Sequence, residues 1–290
     1  MGLDSNEKLL ADYNDVFADI MNVFLFGGKR VIKEEQLENS KDRSQYKADG
    51  KTHEQERDVS KFYNGNEMRI AFLGIEHETH EQAYMPLRVI SYDGSAYRAQ
   101  LLNANNSTSI HKKQKPYPVI TLVLYFGTKR WSYGKSLHEV LEIPKDLKKY
   151  VNDYKINLVE VAYLSEEQID MLQSDFKIIA DFFVQKRKNG NYIPSDYPIK
   201  HIDELLKIME VTSGDERYQE LLNELDEMQS KGRVNTMCEI YDQIEGRGIQ
   251  KGIEQERVNT EKALKRAEAA EARAKAAEEE LERLRKQLNQ

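Results

Sequence analysis

The run Val119-Ile120-Thr121-Leu122-Val123-Leu124-Tyr125-Phe126 most constrains the fold of this 290-residue chain. Apolar, β-branched and aromatic residues follow one another there without a polar face, so both sides of the strand need cover. Such a strand belongs in the middle of a sheet with helices on either side, which makes the chain α/β. An earlier run, Met68 to Ile75, has the period-two character of a second buried strand. It ends in Glu76-His77-Glu78, and strand alternation sends Glu76 and Glu78 to one face and His77 to the other.

Upstream lies Arg57-Asp58-Val59-Ser60, with 17 residues between Asp58 and Glu76. Asn64-Gly65 is a two-residue turn signal between Asp58–Tyr63 and Met68–Ile75, so a hairpin is expected there. Opposed residues of an antiparallel pair lie within about 5.5 Å, and Asp58 would then come close to Glu76 and Glu78. Three carboxylates at one point would suit Mg²⁺ or Mn²⁺ far better than Zn²⁺. By spacing alone, the same acids read rather as the solvated end of a strand.

Helical spacing of Leu9, Leu10, Tyr13, Phe17, Ile20, Met21, Phe24 and Leu25, closed by Gly27-Gly28, predicts an amphipathic helix over 6–26. The polar stretch 33–56, with its Asp49-Gly50 turn, reads as a loose approach to the first strand. A helix over 81–102 carries Met85, Val89, Tyr92, Ala96 and Tyr97 on one side, with Arg88 and Tyr92 one turn apart. Residues 103–118 read as a polar loop. Gly127 to Ser136 imitates a phosphate-binding loop, but six residues instead of four separate its first glycine from Gly134-Lys135-Ser136, and Trp131 reads as the anchor of that loop. A strand over 157–164 precedes Ser165-Glu166-Glu167-Gln168, a capping box. Two polar-rich helices, 199–211 and 215–244, follow.

Composition narrows the chemistry. A single cysteine, Cys238, excludes a disulfide framework and a Cys-rich zinc site, and fits a reducing cytoplasmic setting. His77 and His80 are three apart beside a strand, not four apart on a helix, so a zinc-protease motif is excluded. No uninterrupted apolar run reaches membrane-spanning length. The net charge of −7 sits awkwardly with a nucleic-acid partner unless charge is segregated. Lys112-Lys113-Gln114-Lys115, Lys129-Arg130, Lys145 with Lys148-Lys149, and Lys186-Arg187-Lys188 are the local basic patches; each reads equally as a solvated loop.

At the end of the chain Ala263, Ala267, Ala270, Ala274, Ala277, Leu281, Leu284 and Leu288 follow steps of four and three among Lys, Arg and Glu. That is a coiled-coil seam, and homo-oligomerisation follows from it. From Lys251 onward ten basic residues face nine acidic ones, so this segment is no DNA-gripping tail.

The order of Asp58, Glu76-His77-Glu78, Met85-Pro86-Leu87-Arg88-Val89, Tyr92-Asp93, Tyr97, the 119–127 strand, Trp131 and Met237-Cys238 resembles the recombination-promoting nuclease and YhgA-like transposase family, a bacterial branch of the PD-(D/E)XK nucleases. The resemblance runs over roughly residues 10 to 260. It implies a restriction-endonuclease-like mixed sheet flanked by helices over 1–195; a helical extension over 196–250 and the coiled coil over 251–290 follow it. It further implies Mg²⁺-dependent hydrolysis of DNA phosphodiesters, in recombination or transposition, with Asp58 and Glu76 as metal ligands and Glu78 as third ligand or water-orienting base. Arg88 and Tyr92 would meet the substrate. Position 78 departs from the family's lysine or glutamine, and a glutamate supplies neither positive charge nor amide donor. The alternative is therefore a nuclease-fold protein without catalysis that binds DNA or acts as a scaffold, and oligomerises through its coiled coil.

Overall fold

The computed structural model describes residues 10–39, 44–48, 51–55, 59–65, 69–78, 82–106, 116–213, 215–223 and 235–288. They form a mixed α/β architecture with two sheets and a long C-terminal helix. The chain divides into two compact units, Met1–Met237 and Cys238–Gln290.

In the first unit, helix α1 (Asn14–Phe26) buries Val16, Phe17, Ile20, Met21 and Val23. It ends at Gly27, whose φ of +59° is the left-handed conformation in which glycine bears no side-chain penalty. The amides of Gly27 and Gly28 both donate to the Asn22 carbonyl, which satisfies the helix end. The sequence signal at Gly27-Gly28 thus marks the true stop, while the described helix begins at Asn14 after a break at Asp12-Tyr13.

The polar stretch expected to be a loose approach is strand-forming instead. Strand β1 (Leu37–Asn39) joins the main sheet, and β2 (Ser44–Ala48) pairs with β3 (Lys51–Gln55) as a separate hairpin with Ala48 opposite Lys51. Backbone pairing needs no apolar face, so the absence of an apolar pattern concealed both strands.

The main sheet has the order β1-β4-β5-β6-β7, with β4 (Val59–Asn64), β5 (Arg69–Glu78), β6 (Val119–Tyr125) and β7 (Asn157–Glu160). β1, β4 and β5 are antiparallel neighbours, whereas β5, β6 and β7 run parallel. The expected hairpin is β4–β5, but Asn64 is itself paired, opposite Arg69. Asn64-Gly65 is therefore not a two-residue turn; four residues connect the strands. A register shift between Lys61 and Tyr63 gives β5 one extra residue, a bulge that adds local twist.

β6 is an interior strand, between β5 and β7, and is buried along almost its whole length, as its two apolar faces require. One face meets helix α2 (Met85–Asn106): Met85 and Val89 pack with Val123, Tyr125, Trp131 and Ile156, and Ala96 packs with Val119. On the other side Phe126, just beyond β6, meets Phe176 and Phe183 of helix α5 (Phe176–Asn189), at 6.4 and 5.2 Å between ring centroids. Residues 103–106 continue α2 and do not begin the expected loop.

Between β6 and β7 come the short helix α3 (Leu137–Val140) and a 3₁₀ turn (Lys145–Tyr150). β7 is shorter than expected, because Val161–Tyr163 forms a 3₁₀ turn. Helix α4 (Glu166–Met171) opens with the anticipated box: the Gln168 amide donates to Ser165 Oγ at 3.1 Å, and the Ser165 amide donates to Gln168 Oε1 at 3.0 Å. Helices α6 (Ile202–Ser213) and α7 (Arg217–Leu222) complete the unit. α7 ends at Leu222, so the single helix expected over 215–244 is not continuous.

Helix α8 (Met237–Leu288) holds the second unit. It runs without interruption through the anticipated boundary at 250. Of its seam residues, Leu281 and Leu284 are 55% and 50% exposed.

Candidate active site at the carboxyl ends of the parallel strands

Parallel β5, β6 and β7 bring their carboxyl ends to one edge, the usual position for a ligand in an open α/β sheet. The last paired row reads Glu78, Tyr125, Glu160. Two steps earlier along β5, Glu76 is opposite Val123, a residue of the face that α2 covers. Asp58 and the side chains of Glu76, His77 and Glu78 lie outside the described residues, as does His80. Among the described residues no group of three or more His, Cys, Asp or Glu is placed to hold a metal. Val59, next to Asp58, faces Ile75, next to Glu76.

Helix α2 is fastened along β6 by contacts that descend both elements together. From Met85 and Val89 against Tyr125 and Val123, the line continues to Asp93, whose Oδ1 accepts from Thr121 Oγ1 at 2.6 Å. Next, the Val119 amide donates to the Tyr97 hydroxyl at 3.1 Å, and Gln100 bonds both backbone groups of Tyr117 at 2.7 and 3.1 Å. Steps of four on the helix, with a last step of three from Tyr97 to Gln100, match steps of two on the strand. The Tyr154 hydroxyl also donates to Asp93 Oδ2, so this buried carboxylate joins α2, β6 and the approach to β7.

Asp93 is legible in the sequence as the only acid in the apolar line of Met85, Val89 and Tyr97, a position that demands a buried partner. Arg88 and Tyr92 do come together: Arg88 Nε donates to the Tyr92 hydroxyl at 2.9 Å, and the guanidinium lies 5.7 Å from the ring centroid. Tyr92 is buried and Arg88 half-buried.

Around the end of β7, Glu160 Oε1 accepts from the Trp131 amide at 2.8 Å and Oε2 from Arg130 Nη1 at 3.0 Å. Trp131 is buried and meets Tyr125 edge-on at 5.2 Å, which anchors the 127–136 loop as its sequence implies. Gly127 approaches the Tyr125 ring so closely that a Cβ would meet it at 2.0 Å. A larger residue there would have to push the Tyr125 ring aside.

A family model described as "Putative transposase, YhgA-like" matches residues 60–212, more than half of the chain. The chain belongs to that family. In this YhgA-like transposase-family protein the matched span begins two residues after Asp58, inside β4, and ends one residue before the end of α6. Searches of curated proteins and of solved structures each found no match. No helix among the described residues is long and apolar enough to cross a membrane.

A second polar centre lies against α1, where Asp15, Asp19, Asn22, Arg30, Ser174 and Lys200 help line a cavity of about 240 Å³. Its groups are largely engaged. Asp19 accepts from Arg30 and from the Gln173 and Ser174 amides, the latter two at 2.8 Å, and Asn22 bonds both backbone groups of Ile32. Burial pushes the Asp175 carboxyl up, against the pull of the His201 and Lys200 amides. Burial opposes ionisation of Asp15 too, yet hydrogen bonds from His201 and Lys200 hold its carboxyl below the ordinary value. This centre clips two loops to α1.

Proposed function

We propose that this transposase-family protein is a metal-dependent DNA endonuclease whose acids are Asp58, Glu76 and Glu78, on a core of the restriction-endonuclease type. The observation that carries this reading is the pairing of Val59 with Ile75. Consecutive Cα atoms are 3.8 Å apart, so chain connectivity alone keeps Asp58 beside Val59 and Glu76 beside Ile75. The donor set fits the group: three carboxylates, one next in the chain to Val59 and two at the end of β5, suit a hard divalent cation, Mg²⁺ or Mn²⁺. Such an ion supplies Lewis acidity and a more acidic bound water.

The chain's own residues have separate tasks. Asp58 and Glu76 would hold the ion, and Glu78 would complete its ligands or accept the proton of the attacking water. Arg88, held by Tyr92, would bring a fixed positive charge to a substrate phosphate. The mixed sheet, with α2 connecting parallel β5 and β6, supports the core assignment. The exposed leucines of α8 support self-association through the coiled coil, and two-fold symmetry suits cleavage of antiparallel strands.

A supercoiled plasmid incubated with Mg²⁺, and separately with EDTA, tests the reading, with Asp58→Ala as control. Nicking by the wild type alone, and only with metal, is the expected result. Equal inertness of wild type and Asp58→Ala across metals and DNA forms would leave the non-catalytic DNA-binding or scaffold alternative.

A further inference from the structure

Two basic segments far apart in sequence meet on one aromatic ring. Arg130, after β6, and Arg187, near the end of α5, place their guanidinium carbons 3.9 and 4.4 Å from the Tyr163 ring centroid. The two charges therefore lie within about 8 Å of each other, inside the screening length of about 10 Å at 0.1 M salt. Tyr163 is itself fixed, its hydroxyl donating to the Thr128 carbonyl at 2.9 Å. Arg187 Nε donates to the Ala162 carbonyl at 2.6 Å, and among the described residues no carboxylate pairs with this guanidinium. Arg130 has Glu160, which Lys135 also approaches at 3.9 Å, while the Lys135 amide is taken by Glu139. Lys129, next to Arg130 in the chain, is exposed, and Lys188, next to Arg187, pairs with Glu166 at 3.5 Å.

We propose that this Arg130–Tyr163–Arg187 stack is a docking surface for the phosphodiester backbone of a polynucleotide. Like charges gathered on one ring repel one another, and an anion placed across both relieves that repulsion. Stacking also pre-orders the guanidiniums, so little side-chain freedom disappears when they bind phosphate. The overall charge of −7 makes a local excess of this kind the way such a chain gains affinity for DNA. Glu160 closes the same strand row as Glu78, so a backbone held here runs along the edge that carries the proposed acids. The inference rests on the nuclease reading and deepens it by assigning its substrate-binding surface.

The test is fluorescence anisotropy of a labelled duplex bound by the full-length protein in EDTA, over a salt series, which separates binding from cleavage. The double variant Arg130→Ala/Arg187→Ala should bind about tenfold or more weakly at 0.1 M salt. Its plot of log affinity against log salt should be shallower by about 1.8, at about 0.9 for each phosphate no longer neutralised. Arg130→Lys/Arg187→Lys should restore the slope with only part of the affinity, because ammonium groups keep the charge but not the flat stack. Lys177→Ala, at the other end of α5, serves as the control. Unchanged affinity and slope in a double variant that melts like the wild type would overturn the proposal. So would an equal drop in affinity in the Lys177→Ala control. Arginine-dependent binding without metal-dependent nicking would sink the nuclease reading and leave this surface standing.

Discussion

The carboxylate of Asp93 on α2 and the hydroxyl of Thr121 on β6 form a buried 2.6 Å hydrogen bond at the middle of the helix–sheet interface. Tyr154 donates to the same carboxylate. Asp93→Ala removes the acceptor that these two hydroxyls share and should cost about 2 to 4 kcal/mol. Asp93→Asn keeps an acceptor and should cost clearly less. Urea denaturation reads both, as a fall in midpoint with an unchanged slope.

Lys61 is a fully buried cation, 0% exposed, on β4. Its Nζ donates to the Asp12 carbonyl at 2.6 Å, to Asp12 Oδ1 at 3.0 Å and to Asn39 Oδ1. It thereby ties β4 to the start of α1 and to the edge strand β1. Lys61→Met keeps the volume but strips three acceptors of their donor, and should destabilise by about 2 to 3 kcal/mol in the same assay. A midpoint equal to that of the wild type would show that solvent replaces these bonds freely.

Asp15 makes stability depend on pH. Its folded-state carboxyl sits below the ordinary value because His201 and Lys200 bond it, although burial works the other way. A lowered carboxyl stabilises the fold above its unfolded value, near 4, and that contribution disappears as pH falls through the folded value. Asp15→Asn should therefore be less stable than the wild type at pH 7 by about 1 to 2 kcal/mol, and the two should converge below pH 4. Asp175, pushed up by burial, carries the opposite sign, its ionisation working against the fold as pH rises. Thermal melts of wild type and Asp15→Asn from pH 3 to pH 7 measure the convergence.

Leu281 and Leu284 stand on α8 with half their surfaces open. Paired along a coiled-coil seam, such leucines give that surface up to a partner. The full chain should have a solution mass that is a multiple of 33.8 kDa, and Leu281→Glu/Leu284→Glu should return it toward that of one chain. Light scattering coupled to size exclusion decides it. A wild-type mass of 33.8 kDa at all concentrations would remove the seam's role.

Local rules alone predict the αL stop at Gly27, the capping box at Ser165 and Gln168, and the placement of β6, because each depends on neighbouring residues or on a single apolar pattern. The β2–β3 hairpin escapes them, since its strands are held by backbone pairing without an apolar face. The Asn64-Gly65 signal misleads for a tertiary reason: Asn64 stays in the ladder opposite Arg69, and β5 is lengthened by a bulge that no dipeptide announces.

By itself, the sequence determined the mixed α/β class and the long charged terminal helix, because periodicity and residue chemistry are properties of short segments. Only the tertiary structure decided that Asp93 joins Thr121 and Tyr154, that Lys61 is buried, and that Arg130 and Arg187 share Tyr163. Those pairings bring together residues up to 61 positions apart. Strand register and helix packing select them, and neither is written in the residues beside them.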